Sequence, residues 1–461
     1  MFVLLQFRDV QDDAKSILPL PLPRRNRRVR LRLLPAIVLC VIVLVCLRFA
    51  TWPLFAHPVE PLKILSISED LLSTAPPRIL LVSAFFPLTD AKHTHDEYIS
   101  WLTNFLGPDG VQSDVYFYTI PELASLVSSL NLYPSTPAAA NRNLTINTTY
   151  TSPFSIPPLA PYTSKYHAMH AWDRERAIHN PELYAVWNAK PWLLDHALRA
   201  LSHFEYDYAF WVDAGSFRDP HPFRSWPDPR RVEQVFANSN KDKVLIPLYG
   251  VPGIKEYSWR FEMGPVDMDL SEGSFFGSTP RGISWYSKTF YQTHDWYINT
   301  SPPHGRFLQW LSSLLSTNHT PFHFVGKDQT LINAMLFRYP DKFLGVLVPS
   351  RAGLLPPPPS PLRTTSEEPP IPIHISTFSS LLTRITHALP FLRTKPCGDW
   401  YFYEWFLASD RERAWAQESG WTRCPREHAQ GKGRELLVDV EGMLKGLFGA
   451  RWVEGRKAGG A

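Results

Sequence analysis

The stretch Tyr206-Asp-Tyr-Ala-Phe-Trp-Val-Asp-Ala-Gly-Ser-Phe-Arg-Asp219 runs a short aromatic and aliphatic segment into one carboxylate, Asp213, followed by the small residues Ala214 and Gly215. Such a run is too apolar for a solvent-facing strand and reads as a strand buried in an α/β sheet. Ligands of open α/β sheets collect outside the carboxyl ends of the strands, which is where Asp213 falls. Asp213 is therefore read as a catalytic or metal-binding carboxylate, the alternative being a cap for the turn that follows.

Working outward, residues 78–86 read as a first buried strand and 114–119 as a second, with helical apolar spacing over 97–106 between them. Strand, helix, strand in that order favours a parallel sheet. Residues 134–163 are rich in Pro, Ser, Thr and Asn without a period, and read as an exposed insertion. A helix is expected over 182–204, with Leu183, Val186, Trp187, Leu194, Leu198 and Leu201 on one face. Pro191 inside it predicts a kink or a fresh helix start near Lys190. Further strands are expected at 243–249 and 274–277, and a helix at 328–339. Residues 285–310 are dense in aromatics, either a platform on which sugar rings stack or a core stripe. Residues 349–372, with four consecutive prolines from Pro356, read as a flexible loop, and 373–461 as an appendage.

The N-terminus carries a different signal. Arg24, Arg25, Arg27, Arg28, Arg30 and Arg32 crowd one side of an apolar run from Leu33 to Leu47. A span needs about 20 residues, which the run reaches by continuing through Arg48 to Trp52 and Phe55. The expectation is a cytosolic tail over 1–32, a transmembrane signal anchor over 33–55, a stem over 56–76 and a lumenal body. Ala50 and Ala56 make poor signal-cleavage sites, with Arg48 and Leu54 two positions upstream. The formal charge is +4, but residues 1–32 account for +5 of it, so the body is near neutral and nucleic acid is excluded as a partner. Cys40 and Cys46 lie in the apolar run, leaving Cys397 and Cys424 to pair in an oxidising lumen. No further ligands stand beside them for a zinc site. Sequons at Asn143, Asn147, Asn299 and Asn318 agree with lumenal exposure.

Four motifs concentrate the polar chemistry: Val186-Trp-Asn-Ala-Lys-Pro-Trp192, Trp211-Val-Asp-Ala-Gly215, Glu272-Gly-Ser-Phe-Phe-Gly277 and Gly326-Lys-Asp-Gln-Thr-Leu-Ile-Asn333. With the opening Leu81-Val-Ser-Ala-Phe-Phe86, they resemble the bacterial HtrL/YibB-like family and its fungal relatives, over roughly residues 78–348. That family is similar to the GT-A glycosyltransferases. The resemblance implies an α/β fold, a GT-A-like (Rossmann-like) mixed, mostly parallel sheet flanked by helices, here behind an N-terminal transmembrane helix. It places a catalytic domain at 77–348 and implies transfer of a sugar from a nucleotide-sugar donor to a glycan or glycoconjugate; the N-terminal anchor sets the expected location, a single-pass type II protein of the Golgi or endoplasmic reticulum membrane.

Each motif has a physical reading that fits. A diphosphate leaving group accumulates charge, generally met by a divalent cation such as Mn²⁺ or Mg²⁺ on a carboxylate after a central strand. Asp213 matches that position, but Gly215 replaces the second acid of the usual Asp-x-Asp. Asp219 or His374 could complete a metal shell, or Gly215 could let backbone amides approach phosphate. Lys190 at a helix start would bind donor phosphate, or else is a solvated surface residue. Asn188 is a donor contact or a helix cap. Glu272, beside Gly273, could deprotonate the acceptor hydroxyl, or is a solvated loop acid. Asp328 reads as a helix N-cap, a sugar contact, or both, with Gln329 and Asn333 facing the same way one turn apart. Two rival functions remain at this point: a non-catalytic sugar-nucleotide or glycan-binding protein, and a lumenal hydrolase pairing Asp213 with Glu272.

Overall fold

The computed structural model describes residues 75–88, 93–130, 142–301, 322–347, 402–418 and 437–458. The chain divides into two compact units, Met1–Pro58 and Val59–Ala461, and every described residue belongs to the second. The helices and strands, in chain order, are β1 (Ile79–Phe85), α1 (His95–Leu106), β2 (Asp114–Thr119), α2 (Pro121–Leu130), β3 (Leu144–Asn147), α3 (Thr163–Met169), α4 (Pro181–Ala200), β4 (Tyr208–Val212), α5 (Pro229–Val235), β5 (Val244–Leu248), β6 (Phe275–Ser278), α6 (Pro280–Asn299), α7 (Asp328–Arg338), β7 (Phe343–Leu347), α8 (Phe402–Phe406), α9 (Asp410–Glu418), β8 (Leu437–Asp439), α10 (Val440–Phe448) and α11 (Ala450–Ala458).

The strands form one mixed sheet in the order β3-β2-β1-β4-β6-β5-β7-β8. β3, β2, β1 and β4 run parallel, β6 is antiparallel to both its neighbours β4 and β5, β5 and β7 are parallel, and β8 is antiparallel to β7. Period-two alternation along each strand feeds two cores. Leu80 and Val82 of β1 and Trp211 of β4 point to the face covered by α4, α6 and α7, whereas Leu81, Phe210 and Val212 point to the face covered by α1, α5 and α8. Helices on both faces explain why β4 has no polar side. From β1 the chain steps out to β2 and β3, then returns through α4 to β4 on the other side of β1. The strand order thus reverses between β1 and β4, the kind of switch point beside which open α/β sheets place their ligands.

Several expectations need correction. Among the described residues no helix is long and apolar enough to cross a membrane, which overturns the fold class with a transmembrane helix. Residues 33–55, on which that helix was placed, lie outside the described residues, as do the tail, the stem to residue 74, the Pro-rich loop 349–372, His374, Cys397, Cys424 and Asn318. The segment 134–163 is more than an exposed insertion: it supplies β3 at the sheet edge and buries Ile156 and Leu159 completely. The C-terminal residues expected as an appendage supply β8 to the same sheet, and Tyr403 and Trp452 to its two cores. In α6 the aromatics Tyr286, Phe290 and Tyr297 are core, as their stripe allows, while 302–310 lie outside the described residues.

Pro191 neither breaks nor restarts its helix. α4 runs unbroken from Pro181 to Ala200, its N-terminus capped by Asn180, whose side chain accepts from the Leu183 amide at 2.8 Å. Pro191 cannot donate to the Trp187 carbonyl. Burial of Ala189, Lys190, Leu193 and Leu194 against the sheet holds the helix together instead. Lys190 is therefore a mid-helix residue, far from any helix start.

Candidate functional site

Three motif residues from three elements converge at the carboxyl end of β4. The amide of Asp213 extends the ladder by donating to the Ser274 carbonyl at 2.9 Å, fixing the turn after β4 against the residues that precede β6. Lys190, from the middle of α4, points its ammonium into this junction. Nζ donates to Asp213 at 3.1 Å and to the Gly273 carbonyl at 3.0 Å, and lies 3.2 Å from Asp328 Oδ2 on α7. The ammonium thus makes two hydrogen bonds and one further ion pair, to Asp328. The Lys190 and Asp328 side chains are 4% and 7% exposed, while Asp213 is 32% exposed, so Asp213 is the member that meets solvent.

The electrostatics follow from that arrangement. Burial acts against the charge on Lys190, but Asp213 and Asp328 more than offset it and raise its pKa. One edge of Asp213 meets solvent, yet protein encloses the rest of its carboxylate. Burial pushes the carboxyl up against the downward pull of Lys190 and of the Trp211 indole, which donates to Oδ1 at 2.6 Å; Asp328 adds to the rise. The trio carries a formal charge of −1, a focus of negative potential with a cation already at its centre.

That cation changes the reading of Asp213 as a metal ligand. Trp211 and Lys190 occupy both of its oxygens, and the ammonium stands where a divalent ion between Asp213 and Asp328 would stand. The donor set at Asp213 does not fit a metal, and Asp219 is exposed on the loop beyond. A different group does offer metal-ligand chemistry. Asp173, Glu175 and His179, in the segment leading to α4, hold their ligand atoms within 4.8 Å of one another and could bind a metal ion. Asp173 is buried, His179 half-buried and Glu175 exposed. Asp173 Oδ2 accepts from Tyr184 at 2.5 Å and pairs with His179 Nδ1 at 2.9 Å, and Glu175 is ion-paired with Lys327. The sequence reading passed over this trio, although the spacing Asp173-x-Glu175-x-x-x-His179 was a local signal for it.

The remaining motif residues divide between site and scaffold. Glu272 is buried, not solvated: Ser274 Oγ donates to its Oε1 at 2.8 Å and lies 3.4 Å from the Tyr403 hydroxyl, which in turn bonds Ser216 Oγ at 2.8 Å. Tyr403 comes from α8 and stacks on Phe275 at 4.4 Å between ring centroids. Burial raises its phenol well above the ordinary tyrosine range. Asp328 is the first residue of α7 and not its N-cap, a place that Lys327 takes without a side-chain cap bond; its Oδ1 accepts from the Gln329 amide at 2.8 Å and its Oδ2 faces Lys190. Gln329 is half-buried beside it. Asn333 is scaffold: its amide is consumed by Ser271, Val266 and Met268. Asn188 is no cap, since it sits mid-helix and its Nδ2 donates to the Val325 carbonyl at 2.8 Å.

Gly215 is needed for packing, because a Cβ there would lie 3.1 Å from the Trp101 ring. Arg218 lies over that ring at 4.6 Å and its Nε donates to the Gly215 carbonyl at 3.2 Å, placing a guanidinium beside the turn after β4. Of the sequons, Asn143 and Asn299 are exposed. The Asn147 amide is tied to the Tyr116 hydroxyl and the Thr149 amide.

Gly273 is the tightest point of the cluster. A Cβ there would fall 2.3 Å from Asp328 Oδ2 and 2.7 Å from its Cγ, so the carboxylate must move if the residue grows. Gly273→Ala is expected to pull Asp328 off Lys190 and to cost about 1–3 kcal/mol, read as a lowered melting temperature. An unchanged melting temperature would show that Asp328 is free to relocate.

No protein-family model matches this chain, and no curated protein is significantly similar to it.

Proposed function

We propose that this chain is a glycosyltransferase of the secretory pathway, moving a sugar from a nucleotide-sugar donor to a glycan or glycoconjugate, in keeping with its resemblance to the HtrL/YibB-like family. The observation that carries the reading is the convergence of Lys190, Asp213 and Asp328 at the carboxyl end of β4, the kind of strand end outside which open α/β sheets bind ligands. The solvent-facing edge of Asp213 is directed to the donor sugar, with Asp328 behind it and Lys190 holding both carboxylates in position. Gln329 and Gly215 border the donor. The trio carries net negative charge, so the diphosphate belongs nearer Arg218 than Lys190. Glu272, held by Ser274, is the residue to take the acceptor hydroxyl proton.

For a cation, the mixed nitrogen and oxygen set of Asp173, Glu175 and His179 suits Mn²⁺ better than Mg²⁺, which favours oxygen ligands and retained water; binding there would displace Lys327 from Glu175 and part the His179–Asp173 pair. No step of transfer is assigned to that ion. A panel of nucleotide sugars offered to the full chain, with and without Mn²⁺, tests the proposal through nucleotide release. At least one donor should be turned over, and Mn²⁺ should raise the melting temperature whether or not it changes the rate. No release from any donor with any acceptor would overturn it. One observation favours a second reading, a binding protein without turnover: the ammonium of Lys190 already neutralises one of the two carboxylates a catalyst would deploy. Donor binding without release would select it.

A further inference from the structure

A cavity of about 270 Å³ opens between three chain segments: the turn carrying Trp172, Asp173 and Arg174, the loop ending at Asp267, and the stretch from Phe324 to Lys327 that leads into α7. Its walls combine aromatic rings with charges of both signs. Arg174 is ion-paired with Asp267, and Lys327 with Glu175, so two pairs tie the segments together around the cavity. Asp173 is fixed by Tyr184, His179 and the Glu175 amide at 2.9 Å. The Trp172 Nε1 is a buried donor with no acceptor among the described residues.

These features narrow the ligand. An anion would face Asp173 and Asp267, and a cation would face Arg174 and Lys327. A neutral ring with an apolar face for Trp172 or Phe324 and a hydroxyl rim for the charged groups meets no such conflict. The volume lies just under the roughly 300–1,000 Å³ typical of pockets for drug-sized ligands, which suits one ring. The cavity is also linked to the carboxylate cluster. Tyr184, which holds Asp173, stands six residues before Lys190 on α4, about 9 Å along the helix axis, and Lys327 immediately precedes Asp328.

We infer that this cavity binds a single neutral pyranose ring, the sugar of the acceptor that lies next to the cluster of Lys190, Asp213 and Asp328. The word acceptor rests on the transferase reading; the sugar site does not. Methyl hexopyranosides of gluco, galacto and manno configuration, titrated into the full chain and followed by ligand-detected NMR, test it. At least one should bind, and binding should weaken about tenfold or more in Trp172→Ala and in Asp267→Ala. Asp267 is an exposed rim residue, so its variant keeps the test open if Trp172→Ala fails to fold. Absence of binding by every methyl glycoside overturns the inference, as does binding indifferent to both substitutions, or inorganic phosphate displacing the sugar. Nucleotide release with no glycoside binding would sink this site and spare the transferase. Glycoside binding without release would do the reverse.

Discussion

Asp213→Asn protein is expected to melt as the parent does and to release nucleotide from its donor at least about a hundredfold more slowly. The fold survives because the amide is nearly isosteric and Lys190 keeps its ion pair with Asp328 and its hydrogen bond to the Gly273 carbonyl. The Trp211 indole can still donate to the amide oxygen where it now donates to Oδ1. Burial already raises the Asp213 carboxyl, so its charge is held at a cost that the neutral amide does not incur. The rate falls because the lost charge belongs to the one member of the trio that meets solvent, where a preorganised group acts on the reacting sugar. Thermal melting and nucleotide release on the same preparation separate the two effects. Normal melting with the parental rate would leave Asp213 as a partner for Lys190 and end the transferase mechanism.

The strand beneath Asp213 was legible in the sequence because burial on both faces is a local property of the run 208–212. The strand-helix-strand order around β1 and β2 was legible for the same reason. Lys190 was not, because its role is settled by partners on other elements. A lysine before Pro-Trp reads as a helix start, and a buried mid-helix ammonium makes sense once Asp213 and Asp328 are in place. The contribution of Tyr403 was hidden similarly, since its partners Ser216 and Ser274 lie far off in sequence. β3 escaped notice because a four-residue edge strand is too short to show a period, and β8 with three residues is shorter still. Glu272 read more readily as a solvated loop acid than as a base, and its burial against Ser274 removes the solvated reading.

Lys190→Met is expected to be the most destabilising single change in the site, at about 3–5 kcal/mol near neutral pH. Methionine fills much of the same volume, so the cost is electrostatic: Asp213 and Asp328 lose the ammonium between them and face each other unscreened. The sign of the pH dependence follows. In the parent the raised pKa of Lys190 means its stabilisation is fully present below the ordinary lysine value and is lost as pH rises through the higher folded value. In the variant, Asp213, already raised by burial, loses the downward pull of Lys190 and takes up a proton more readily folded than unfolded. The variant's deficit against the parent should therefore shrink as pH falls from 7 toward the ordinary carboxylate range. Adding Asp328→Asn to Lys190→Met removes one of the opposed charges and should restore part of the lost stability at pH 7, a non-additive result diagnostic of direct coupling. Melting curves for parent, single and double variants across that pH range provide the measurement. A Lys190→Met protein as stable as the parent at pH 7, or one whose deficit ignores both pH and Asp328→Asn, would mean that the ammonium does not hold this cluster together.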